Sequence, residues 1–337
     1  MVVREKENII GPLLNYFGIK YESLHPETTG LINKGLVMLK NVFKILKISK
    51  NYNPDILVGP LGPYITWIGS FHSKPNINLL DSEPSDLIIN LSLPFATSII
   101  TPYKFSRNLP KKKHITVHSY KELAYLHPNW FKPNTHILSD LGLNKKEKFV
   151  LLRFGSFKAS HDIGISGFSL ETKMKLIKTL NKYLNIFISS EISLPSKLEK
   201  FRLTIPPEKL HDVLYYSTLL ICDTQTSTTE AACLGTPAVR CNKWVGPNDM
   251  SNFIELEQKY GLIYNIKEPK KAIEKAVELI QKPNLKQEWQ KKREKLLKDK
   301  IDFTAFLIWF IENFPKSQQI MKKNPKYENK FKLKIKK

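Results

Sequence analysis

The sequence has little cysteine, too few acidic residues to balance its basic ones, and no long hydrophobic run. Its three cysteines, Cys222, Cys233 and Cys241, are an odd number at spacings that match no zinc motif. That argues against a disulfide framework and fits a reducing, cytoplasmic setting. The longest apolar run toward the C-terminus, AFLIWFI at 305–311, is far short of the roughly 20 residues that span a bilayer. The opening MVVREKENII has no apolar signal core. No His/Asp group has metal-ligand spacing, so neither a metal nor another cofactor is expected. No segment repeats another.

The 31 Asp+Glu face 53 Lys+Arg, a formal charge of +22. Such an excess suits nucleic acid, an anionic membrane surface or phosphate-bearing substrates. It is largely lysine, scattered over helix faces and gathered in KKNPKYENKFKLKIKK at 322–337, which reads as solvated surface more than as a nucleic-acid groove. A nucleic-acid partner is therefore not expected, while peripheral contact with acidic lipid at the inner membrane face stays open.

With 337 residues, 42% of them apolar, the chain can bury real cores and is expected to form two α/β domains. Strand and helix alternate in the rhythm of a parallel sheet. The strand Ile56–Val58, the helix YITWIGSFH and the strands NINLL, TSIITP and HITVHS make a first series. A polar, proline-containing stretch follows, and a second series opens at KFVLLRFGS. It runs through NIFISSE, FRLTI, the helix after Pro206-Pro207, TLLICD, a helix from Thr228, PAVRC and GLIYNI, and three more helices follow. The expected divisions are 1–140, 141–300, a C-terminal helix at 301–316 returning toward the first domain, and a basic tail at 317–337.

The stretch ICDTQTSTTEAACLG, from Ile221, ends a buried strand in a hydroxyl-rich turn and starts a helix. Ligands of open α/β sheets sit at the carboxyl ends of strands, where helix N-termini favour anions. Thr224, Thr226 and free amides could hold a diphosphate, and Glu230, one turn in, the hydroxyls of a ribose. The alternative is that Thr228 or Thr229 simply caps the helix and Glu230 completes the cap.

The segments DTQTSTTEAACLGTPAVRCNKWVG, LRFGSFKASHDIG, RLTIPPEKLHDVLYYS and KELAYLHPNWFKP resemble a prokaryotic family known as domain of unknown function 354. That family is related to UDP-N-acetylglucosamine 2-epimerases and to glycosyltransferases of the GT-B type. The resemblance implies two Rossmann-like domains facing across a cleft. It places Asp223 and Thr224 on the epimerases' Asp-Ser, Gln225 and Thr226 on their two glycines, and Glu230 on the ribose-binding glutamate. Side chains in place of the glycines are expected to restrict backbone approach to a diphosphate. The resemblance also implies that the chain starts at strand two of the first domain, with an interior first strand missing and Met1 an internal start.

Further candidates follow from position. Arg153 and Ser156, after the first strand of the second domain, suit a phosphate, and His161 a general acid. Asp81 and Glu83 end a first-domain strand where a base could take an acceptor's proton; a turn or cap role is the alternative. His118, Glu122 and His127 are weaker candidates, and Tyr125 and Trp130 read as packing residues. The turn GPLGP at 59–63 lacks the acidic residue that the epimerases carry there. The expected function is metal-independent glycosyl transfer from a nucleotide-sugar, in the first instance a UDP-sugar, to a sugar or lipid-linked acceptor in surface polysaccharide or glycolipid synthesis. A UDP-sugar 2-epimerase and a non-catalytic nucleotide-sugar or RNA-binding protein are the alternatives.

Overall fold

A computed structural model describes residues 1–4, 9–26, 28, 30–155, 167–190 and 193–333. The chain is α/β and divides into two compact units, Met1–Val117 with Leu307–Glu328 and His118–Phe306 with Asn329–Lys337.

In the first unit, β1 (Val2–Arg4) and β2 (Glu22–Leu24), joined through α1 (Ile10–Tyr16), pair in parallel. The long helix α2 (Leu31–Tyr52) stops where Asn53 takes the left-handed conformation, φ 48°. Then come β3 (Leu57–Pro60), α3 (Pro63–Phe71), β4 (Asn76–Leu79), α4 (Asp86–Ser92), β5 (Ser98–Pro102) and β6 (His114–Val117). The last four strands form a wholly parallel sheet in the order β3-β4-β5-β6. Pro63 starts α3 in the first turn, where a missing N–H costs nothing.

The second unit begins with α5 (Leu123–Leu126) and α6 (His136–Asp140), followed by β7 (Phe149–Phe154), α7 (Leu170–Leu180), β8 (Asn185–Ser190), α8 (Ser196–Glu199) and α9 (Leu210–Tyr216). It continues through β9 (Leu219–Cys222), α10 (Thr226–Leu234), β10 (Ala238–Arg240), α11 (Ser251–Gln258), β11 (Ile263–Asn265), α12 (Pro269–Gln281) and α13 (Leu285–Asp299). Its five strands are all parallel in the order β11-β10-β9-β7-β8. The central β9 is buried at every position, as the unbroken apolar run Leu-Leu-Ile-Cys demands. Trp289 of α13 is fully buried and donates its indole N–H to the carbonyl of Leu262 at 2.7 Å.

Three expectations are corrected. FRLTI is no strand: among the described residues Arg202 makes a single parallel bridge to Ile188. The chain passes between units at Val117/His118 instead of near 140, because Tyr120, Leu123, Leu126, Ile137 and Leu138 are buried in the second unit's core. Residues 317–333 of the expected basic tail are folded: α14 (Phe303–Glu312) leads to α15 (Lys316–Lys323) and a 3-10 stretch, Pro325–Phe331, with Met321 and Glu328 buried.

Candidate functional site

The carboxyl ends of β7, β9 and β10 gather the residues of interest in the second unit. Where β9 gives way to α10, the turn needs no glycine. Gln225 sits at φ −87°, ψ −58°, an ordinary right-handed conformation, so the side chains there do not strain the backbone. The helix starts at Thr226, before the threonines expected to cap it, and no side chain caps it. Thr228 Oγ1 instead turns back to the carbonyl of Thr224 at 2.8 Å, and Thr229 Oγ1 accepts from Asn252 Nδ2 at 3.3 Å. The amides of Thr226 and Ser227 make no hydrogen bond among the described residues. They stand at the positive end of the helix. Beside them Thr224 Oγ1 is buried and has no partner among the described residues, while Thr226 is exposed.

Glu230, in the second turn of α10, is buried, with its side chain 10% exposed. Its Oε1 accepts from Tyr125 Oη at 3.0 Å and lies 3.0 Å from His211 Nε2. Its Oε2 has no partner among the described residues. Burial works to raise this carboxyl. The hydrogen bond and charge of His211, the bond from Tyr125 and the nearby Arg153 outweigh it and hold the group below the usual glutamate value. The rings of Tyr125 and His211 lie 5.2 Å apart, and Phe131 meets His211 edge-on at 6.2 Å. Arg153, on β7 opposite Cys222, donates from Nη1 to Ser189 Oγ at 2.5 Å.

Asp223, a substrate-binding candidate by its match to the epimerases' Asp-Ser, is held by two backbone amides. It is 1% exposed; Oδ1 accepts from the Gly155 amide at 2.8 Å and Oδ2 from the Phe168 amide at 3.2 Å. The two amides flank 156–166, so one carboxylate joins the ends of that segment. Burial pushes its acid up to about 6, against the pull of those amides and of Lys173. Gly167 is required by this contact, since a Cβ there would lie 2.0 Å from Asp223 Oδ2. Ser156 and His161 lie outside the described residues.

Asp81 and Glu83 belong to the first unit, in the half-buried loop after β4. The carbonyl of Glu83 accepts from Arg107 Nη1 at 2.8 Å, and Arg107 also pairs with Asp86. Of the weaker candidates, Glu122 and His127 are buried in the second unit. Tyr125 and Trp130 are more than packing. Tyr125 fixes Glu230, and Trp130 Nε1 donates to Asp302 Oδ1 at 2.8 Å, the same oxygen that receives the Ala305 amide at 3.0 Å in the first turn of α14.

The family model described as "Protein of unknown function (DUF354)" matches residues 1–304. The chain belongs to this family. No curated protein matches the sequence. Among solved structures, the DUF354 chain is similar to MnaA of S. aureus in a co-structure with UDP, at 13% identity and TM-score 0.64, with 91% of this chain and 87% of that one covered. It is also similar to the UDP-GlcNAc 2-epimerase of Neisseria meningitidis bound to UDP-GlcNAc, at 12% identity and TM-score 0.58, covering 86% and 85%. The spinosyn forosaminyltransferase SpnP follows at 13% identity and TM-score 0.58, covering 92% and 90%. The DUF354 chain thus has an α/β fold with parallel sheets that matches structures of UDP-GlcNAc 2-epimerases and GT-B glycosyltransferases.

His211 and Tyr125 are the members of the site that sequence reasoning missed. They lie 19 and 105 residues from Glu230, on different helices, and no spacing rule links them. The available signal was topological: α9 and α10 flank β9, so a histidine early in α9 can reach a carboxylate on α10.

Proposed function

We propose that this protein is a metal-independent GT-B glycosyltransferase whose second unit holds a UDP-sugar for transfer to a sugar or lipid-linked acceptor in surface polysaccharide or glycolipid synthesis. The observation that carries the reading is the state of Glu230: an ionised carboxylate with one oxygen fixed by two donors and the other without a partner among the described residues. Such an oxygen suits the hydroxyls of a ribose. One turn earlier, the amides of Thr226 and Ser227, the hydroxyls of Thr224 and Thr226 and the guanidinium of Arg153 suit a diphosphate. Asp81 or Glu83 is the proposed base for the acceptor hydroxyl, and Ser156 and His161, on the segment whose ends Asp223 joins, are proposed to meet the donor. The UDP and UDP-GlcNAc in the two co-structures favour uracil as the base of the donor nucleotide. An acceptor carried on an anionic membrane would suit the positive charge of the chain.

Epimerisation at C2 is the competing reading, favoured by the epimerases among the similar structures and weakened by the turn at 59–63, which offers no acid to take a carbon-bound proton. A thermal-shift screen against UDP, GDP, CMP and their sugars tests the donor site. UDP or a UDP-sugar should stabilise by about 2.7 kcal/mol at 100 times its Kd, and Glu230→Ala, shown folded by circular dichroism, should abolish the shift. No shift with any nucleotide rejects the reading. Solvent deuterium appearing at C2 of a bound UDP-sugar would replace transfer by epimerisation.

A further inference from the structure

The longest helix of the first unit, α2, is apolar on two opposite faces. At about 100° per residue, Ile32, Leu36, Leu39 and Phe43 fall within about 60° of one another. They are 82%, 53%, 47% and 70% exposed. On the far side, Asn41, Val42, Ile45 and Ser49 are buried. The inner face explains the docking of the helix on the unit's core, where Val42 and Ile45 pack with Leu24 and Ile68. Nothing in the fold of the unit explains the outer one. Four large apolar side chains in register on an exposed helix form a patch, unlike scattered surface leucines.

The charge of α2 identifies what the patch meets. Between Leu31 and Tyr52 there are five lysines, at 34, 40, 44, 47 and 50, and no aspartate or glutamate. Lys40, Lys47 and Lys50 are exposed, and their angular positions fall on or beside the apolar stripe. An apolar stripe bordered by lysine, on a helix without acid, suits the headgroup region of an anionic bilayer, with the apolar side chains entering the acyl boundary and the ammonium groups meeting lipid phosphates. No helix among the described residues is long and apolar enough to cross a membrane, so α2 would lie along the surface. A second copy of the chain is a poorer fit, because it would bring the same lysines and no carboxylate to the seam.

We infer that α2 docks this protein on an anionic lipid bilayer through Ile32, Leu36, Leu39 and Phe43. The inference concerns the first unit and is independent of the donor site.

Flotation of the full chain with vesicles tests it. The protein should float with phosphatidylcholine vesicles containing phosphatidylglycerol and stay behind with phosphatidylcholine alone. The triple variant Ile32→Ser, Leu36→Ser, Phe43→Ser changes only exposed side chains, and an unchanged melting curve would confirm that it folds. Its partitioning should fall at least about tenfold, as should that of Lys40→Glu with Lys47→Glu. Three results overturn the inference: no flotation with either vesicle, equal flotation of wild type and triple variant, or a wild-type dimer in sedimentation velocity that the triple variant converts to monomer. The first leaves the stripe without a lipid role, the second moves the contact to another basic surface, and the third makes the stripe an interface between copies.

Discussion

Two carboxylates of the second unit show how placement divides labour among identical chemistry. Glu230 is held ionised by donors on one oxygen, whereas Asp223 is buried so completely that its acid rises to about 6. Tyr125→Phe removes one donor and should raise the Glu230 carboxyl and loosen it. For the proposed nucleotide site a severalfold loss of affinity is expected by calorimetry, with stability lowered by about 1 kcal/mol. For Asp223 the sign is opposite to that of a salt-bridged aspartate. Its folded value lies above its ordinary 3.8, so the folded state holds the proton longer and stability drops as pH rises between about 4 and 6. Compared with Asp223→Asn, which does not titrate, wild type should lose about 2–3 kcal/mol of relative stability across that window, measured by urea melts at a series of pH values.

At the scale of elements, the apolar strands were the most legible part of the sequence. The unbroken apolar runs at 219–222 and 149–152 announce themselves as strands, and a buried parallel sheet is what such runs make. The start of α10 was less legible. A run of four hydroxyl residues offers several equally good caps, and Thr228 spends its hydroxyl on a carbonyl instead. The ion pair that fixes the end of β10 was not legible at all. Arg240 is wholly buried, paired with Asp249 and stacked 3.7 Å from the ring centroid of Phe253. Asp249→Ala would strand that guanidinium in the core and should cost about 3–5 kcal/mol in equilibrium unfolding, while Asp249→Asn should cost less.

Across the whole molecule, the charge of +22 and the site at α10 make separable demands. Any weak binding of single-stranded RNA through surface lysine should fall at least about tenfold between about 50 and about 200 mM salt, and Glu230→Ala should leave it unchanged. Fluorescence anisotropy of a labelled oligonucleotide would show both. Architecture was readable from strand and helix alternation, because a parallel sheet repeats that alternation along the chain. The division into units was readable only approximately. Residues 118–140 carry prolines and polar groups like a linker, yet bury Tyr120, Leu123 and Leu126, and only the three-dimensional core shows which side they belong to. The same holds for the site: Glu230 stood out by its place in a helix, whereas His211 and Tyr125 reach it across folded distance.

Gly167 and Asp223 constrain one another as well as the shape of the chain. A methyl group at 167 would overlap the carboxylate, so Gly167→Ala is damaging while Asp223 is present. Shortening Asp223 first would make room but would leave the amides of Gly155 and Phe168 without their acceptor. Either order of substitution passes through a destabilised protein. The two positions are therefore expected to be non-additive in a double-mutant cycle, far apart in the sequence though they touch in the fold.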